Sequence, residues 1–139
     1  NDQMIEALNL IQDHLFVGIF PALQEAGIAA LLDPKSEEAV AQLNATYDSR
    51  RDAFVQTAAK IGWQAFPSKG SFYAWMPVPE GYTSESFADL LLEKAHVAVA
   101  PGKGFGPAGD AYVRIGLLVE PERLVEAVNR IADLHLFNN

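Results

Sequence analysis

Residues 101–116 read PGKGFGPAGDAYVRIG, in which Gly104, Gly106 and Gly109 fit the G-x-G-x-x-G spacing of a phosphate-binding turn and Arg114 follows. Such a turn aims backbone amides at a phosphate, and in the dinucleotide fold the amides come from a helix that follows a strand. The context here is different. AYVRIGLLV, after the glycines, is dense in β-branched and aromatic residues and meets Glu120-Pro121 too soon to hold a helix, so a strand stands where a helix should begin. A kinase-type glycine loop does join two strands, but the second should carry a lysine, and none is present. A G-x-x-x-x-G-K-[ST] run is also missing.

Alternation along the strand says more. Val113, Ile115, Leu117 and Val119 share one face, and Tyr112, Arg114, Gly116 and Leu118 share the other. Arg114 is then either a solvated charge paired with a nearby acid, or a fixed guanidinium whose planar fork grips a carboxylate through two hydrogen bonds, with Gly116 and the glycine loop leaving room. Other chemistry-bearing residues lack the required context. His14, His96 and His135 are too far apart for a metal site and have no ligand-type partner at i, i+4, which makes them surface or boundary residues. Ser71, Ser84 and Ser86 lack the turn that exposes a serine nucleophile. Arg50 and Arg51, beside Asp48 and Asp52 on a helix, read as surface pairs or as contacts to an absent domain.

The elements that must position Arg114 follow from periodicity. Met4, Leu8, Ile11 and Leu15 give an amphipathic helix over 3–15, and Pro21 opens a second helix to Leu32 that is apolar almost all round. After the break at Asp33-Pro34, Ser36 is expected to cap a long helix with Val40, Leu43, Tyr47, Phe54, Ala58 and Ile61 as its stripe, ending at Gly62. WQAF and SFYAWM read as short strands around the turn PSKG. Thr83 or Ser84 caps a helix ending near Ala95, with Phe87, Leu90 and Leu91 inward; VAVA at 97–100 is a strand. Pro121 begins a final helix with Leu124, Val125, Val128, Ile131 and Ala132 on one face and a Glu126–Arg130 pair on its surface. The order predicts an α/β fold, a small sheet covered on one face by helices.

Bulk properties narrow the function. A length of 139 residues suits one ordinary domain, and a net charge of -8 with ten Lys and Arg argues against a nucleic-acid or anionic-membrane partner. The absence of cysteine excludes a disulfide framework, a thiol nucleophile and a thiolate metal site. No apolar run approaches the roughly 20 residues needed to cross a bilayer, and a cytoplasmic protein is the default expectation. The start at Asn1 and the poorly covered helix over 21–32 lead us to expect a piece of something longer.

GSFYAWMPVP at 70–79, VAVAPGKGFGPAGDAYVRIGL at 97–117 and the closing helix together resemble the C-terminal domain of class I/II pyridoxal-phosphate-dependent aminotransferases of fold type I. MIEALNLIQDHLFVGIFPALQEAGIAALL resembles the family's stretch after the cofactor lysine. The most specific element is P-G-x-x-F-G followed by Y-V-R-I. The resemblance implies two helices from the end of the large domain over 1–33 and the small domain over 34–139. It implies that Arg114 holds the substrate's α-carboxylate and that Phe105 and Gly106 lie near the substrate entrance. Tyr73 can line the interior or the domain interface, the core being preferred.

In the family the Schiff-base lysine, the aspartate on the pyridine nitrogen and the phosphate cup precede this region, and Lys35, Lys60, Lys69, Lys94 and Lys103 lie outside the cofactor-lysine context. No catalytic, cofactor-binding or metal-binding residue is therefore expected here, and no pyridoxal phosphate bound to this chain alone. The implied parent moves an amino group between an amino acid and a 2-oxo acid, carries pyridoxal 5'-phosphate and is a homodimer. A carbon-sulfur lyase of the same fold, or a free-standing α/β interaction module using helices 3–32, are the alternatives.

Overall fold

The computed structural model describes residues 1–66 and 68–137. It divides into two compact units, Asn1–Gln42 and Leu43–Asn139.

The first unit is helical. Helix α1 (Asp2–Ile11) runs into a π-helical turn over Gln12–Phe16 that ends where Val17 adopts a left-handed conformation. Helix α2 (Pro21–Leu32) starts at proline, whose missing N–H costs nothing in a first turn. The sequence anticipates these helices, but every residue from 1 to 35 is exposed, including the apolar stripe from Met4 (65%) to Leu15 (73%). Ser36 does not cap the long helix α3 (Ser36–Lys60) as expected. Its hydroxyl donates to the Ala30 carbonyl at 2.6 Å, while the Asp33 carboxylate accepts from the Lys35 amide at 2.7 Å and tightens the connecting turn.

The second unit holds the core. Strands β1 (Tyr73–Pro77), β2 (Ala100–Pro101) and β3 (Tyr112–Gly116) form an antiparallel sheet in the order β1-β3-β2, so β3 is central. Ala74, Met76, Val113 and Ile115 point from it into a cluster with Phe54 and Ala58 of α3, Phe87 of α4 (Ser84–Leu90) and Leu124, Val128 and Ile131 of α5 (Pro121–Ala132). This is the helix-covered face expected from the alternation. Thr83 caps α4, its side chain accepting from the Ser86 amide while the Ser86 hydroxyl accepts from the Thr83 amide. The Arg130 guanidinium donates to the Glu126 carboxylate, as the i, i+4 spacing predicts.

Further expectations are corrected for WQAF, the start of β2, the α3 stripe and Val119. WQAF is not a strand: Trp63 is drawn into the core, where its indole N–H donates to the Pro77 carbonyl at 2.8 Å and its rings meet Phe54 and Phe87 edge-on. The turn assigned to PSKG includes Pro67, which lies outside the described residues. Strand β2 begins only at Ala100, because the left-handed His96 that ends the helical segment is followed by irregular chain. In the stripe of α3, Phe54 and Ala58 are buried whereas Val40 and Leu43 are exposed, and Val119 is exposed because β3 stops at Gly116.

Candidate functional site

The face of the sheet away from the core carries Tyr73, Trp75, Tyr112 and Arg114, all half-buried. The register sets Arg114 opposite Trp75 on one side and Ala100 on the other. The Arg114 guanidinium carbon lies 4.0 Å from the centroid of the Tyr73 ring and 4.2 Å from that of Phe105. Two aromatic groups thus hold the guanidinium by its π-face, an attraction that leaves its in-plane N–H donors unused. Among the described residues Arg114 makes no ion pair and no hydrogen bond, so the reading of a charge neutralised by a nearby acid has no counterpart. Tyr73 is not a core residue; its parity places it with Arg114 while Ala74 and Met76 take the core.

Phe105 reaches Arg114 because of the glycine loop. Two 3-10 turns, Gly102–Phe105 and Pro107–Ala111, meet at Gly106, whose φ of +123° strongly disfavours a side chain. The base of the loop is a backbone-to-backbone contact. A Cβ on Gly109 would stand 2.0 Å from the Gly102 carbonyl oxygen, and one on Gly102 would stand 2.2 Å from that of Gly109. Loop amides are spent internally, Gly106 N–H on Lys103 O and Gly109 N–H on Gly106 O. A phosphate cradle needs those donors free and convergent. The G-x-G-x-x-G spacing is therefore a folded turn that delivers a phenyl ring.

Two further residues fasten this loop to α4. Asp110 accepts from the Ser84 hydroxyl at 2.7 Å and from its amide at 3.2 Å, and the Lys103 amide donates to the Ser84 oxygen at 3.3 Å. Ser84 is fully buried. The Ser84 hydroxyl, followed by its amide, holds the Asp110 carboxyl below its ordinary value. Sequence reasoning set Ser84 aside as a nucleophile and passed over Asp110; a serine at a helix start and an acid after a glycine turn signal nothing until the fold joins them.

Pyridoxal phosphate, the cofactor implied by the resemblance, is held in such enzymes as an imine of a lysine amine. Lys103 Nζ is bound to Glu85 at 2.8 Å, and the hydrogen bond to that carboxylate raises its pKa, which keeps the amine protonated and poor as a nucleophile. Lys35, Lys60, Lys69 and Lys94 stand on exposed positions. Among the described residues no group of three or more His, Asp or Glu can hold a metal, and no helix is long and apolar enough to cross a membrane. Arg51 pairs with Asp48 and Asp52, and Arg50 reaches Glu120 at 2.6 Å.

Comparison with known proteins bears on the whole chain. The family model described as aminotransferase class I and II matches residues 1–131. An L-glutamine--4-(methylsulfanyl)-2-oxobutanoate aminotransferase of Bacillus subtilis is 57% identical over 137 residues, 99% of this chain and 34% of that protein. An LL-diaminopimelate aminotransferase of Moorella thermoacetica is 45% identical over 92% of this chain and 32% of its own length. The substrate-bound structure of BacF from Bacillus subtilis superposes with a TM-score of 0.88 at 42% identity, covering 99% of this chain and 35% of that one. The chain thus spans about a third of the length of the relatives it matches.

Proposed function

The chain belongs to the class I and II aminotransferase family, and from that premise we propose that it is the C-terminal portion of a pyridoxal-phosphate-dependent aminotransferase in which Arg114 grips the substrate α-carboxylate. One observation carries the proposal: Arg114 is held between the Tyr73 and Phe105 rings, with no acid of the described residues consuming its donors. A guanidinium fixed in this way presents two parallel N–H groups to a carboxylate, and the pairing defines an orientation as well as a location. Both the amino acid and the 2-oxo acid carry that carboxylate, so one residue serves both substrates. Its contribution is positional.

Within this reading, residues 1–33 are helices from the end of the large domain and 34–139 are the small domain, with Phe105 and Gly106 at the substrate entrance. The remainder of the parent, a cytoplasmic homodimer, supplies the cofactor lysine and phosphate cup. The 139-residue chain alone is inactive, and borohydride treatment with pyridoxal phosphate labels no single lysine stoichiometrically.

In the full-length enzyme Arg114→Lys replaces a fork by a point charge. The expected loss is about 2–3 kcal/mol in kcat/KM for amino acid and oxo acid alike, with the absorbance of the bound cofactor unchanged. Unaltered kinetics would remove Arg114 from the site.

A further inference from the structure

We propose that Tyr47, on α3, is a positioning residue for Arg114 and acts through the rings of Phe72 and Tyr73. The proposal rests on the carboxylate role of Arg114.

The four groups stand in a row. The Arg114 guanidinium carbon is 4.0 Å from the Tyr73 ring centroid, Tyr73 is 4.5 Å from Phe72 between centroids, and Phe72 is 5.7 Å from Tyr47. A strand does not bring adjacent rings together in this way, because neighbouring residues of a strand point to opposite faces. Here β1 starts only at Tyr73, and Phe72 lies in a bend after Ser71, whose φ of 72° is left-handed. A serine held in that conformation costs energy, and it persists where the surrounding structure enforces it.

Tyr73 needs support from its neighbours. It is half-buried on β1, an edge strand of the sheet, and a change of rotamer there would withdraw its ring face from Arg114 without opening the core. Phe72 packs on the Tyr73 ring and narrows that choice. The backbone of Phe72 is fixed in the frame of Arg114, since the Leu117 N–H, just past β3, donates to the Phe72 carbonyl at 2.8 Å. Its side chain is 39% exposed and leans on Tyr47.

Tyr47 is the anchored end of the row. It stands two helical turns before Phe54 on the same face of α3, and Phe54 and Ala58 are fully buried in the core. Arg50, one turn on, places its guanidinium carbon 5.5 Å from the Tyr47 ring centroid and donates to Glu120, the residue before α5, at 2.6 Å. The packing of α3 is thereby carried to the carboxylate grip through three rings, none of which touches the core side of the sheet.

The test uses the full-length enzyme with pyridoxal phosphate and the fastest of the common L-amino acids as donor. Tyr47→Leu should raise KM for donor and 2-oxo acid about threefold, with a smaller change in kcat and an unchanged absorbance of the bound cofactor. Tyr47→Phe, which keeps the ring, should restore the original KM. A role in folding alone would lower the amount of active enzyme, and so kcat, while leaving KM as it was. In the Arg114→Lys background Tyr47→Leu should change KM no further, because its effect passes through the guanidinium. An unchanged KM in Tyr47→Leu, a threefold rise that persists in the Arg114→Lys background, or no rescue by Tyr47→Phe overturns the proposal. If Tyr47→Leu does not fold, Phe72→Leu at the more exposed position goes through the same cycle and decides. Impaired Arg114→Lys with additive effects sinks the brace alone, whereas normal kinetics in Arg114→Lys sink the carboxylate role and the brace with it.

Discussion

The two faces of one small sheet obey different rules. On one, Ala74, Met76, Val113 and Ile115 are buried against α3, α4 and α5, and the only requirement is to fill space. On the other, Tyr73, Trp75, Tyr112 and Arg114 are half-buried, and an arginine has two rings for neighbours and no acid among the described residues. A charge kept unpaired on a half-buried surface contributes little to folding. If Arg114 grips a carboxylate as proposed, strand parity here separates stability from recognition, residue by residue.

The sharpest separation should come from Phe87→Ala on the core side. Removing this fully buried ring, which touches Trp63 edge-on, should destabilise the chain by about 3–5 kcal/mol in urea unfolding. Loss below about 1 kcal/mol would mean that this face is not the packed one. Next, Arg114→Lys should leave the urea midpoint within about 0.5 kcal/mol of the unmodified chain while kcat/KM in the full-length enzyme falls as stated above. A large stability loss would break the division of labour.

Tyr73→Leu keeps much of the apolar bulk and removes one π-face from Arg114. It should raise KM for every amino acid by about 1 kcal/mol, the scale of a partly exposed cation–π contact, with a smaller change in kcat. An effect confined to particular donors would mean that Tyr73 acts on the substrate side chain and not through Arg114. Smallest is the pH dependence through Asp110. Its folded pKa is depressed, so its link to Ser84 adds stability above the ordinary carboxylate value of about 3.9 and loses it as pH falls through the lower folded value. The protection factor of the Lys103 amide against hydrogen exchange should be constant at pH 5–7 and fall once pH drops below the ordinary carboxylate range, through the lower folded value. Asp110→Asn should remove most of that dependence; an unchanged profile would show that the loop is held by the glycine contact alone.

Much of this was legible in the sequence, for reasons that also mark its limits. Arg114 stood out because β3 alternates, and the parity of a single strand needs no partner to be read. Helices α2, α3 and α5 announced themselves through Pro21, the run up to Gly62 and Pro121. Tyr73 was different: its contact with Arg114 depends on the β1–β3 register, a relation between segments far apart in the chain. WQAF misled because aromatic residues suit a half-buried pleated surface and a core equally well, and Trp63 took the core. Likewise, nothing local in Gly102 or Gly109 reveals that each occupies the space the other's Cβ would need.

That mutual exclusion has a kinetic meaning for the residue at the loop's far end. A loop whose base is closed by two backbones packed against each other has few conformations left to it, so the conformational entropy of placing Phe105 is lost during folding. On the proposed carboxylate role of Arg114, substrate capture would then not wait for this loop to find its shape.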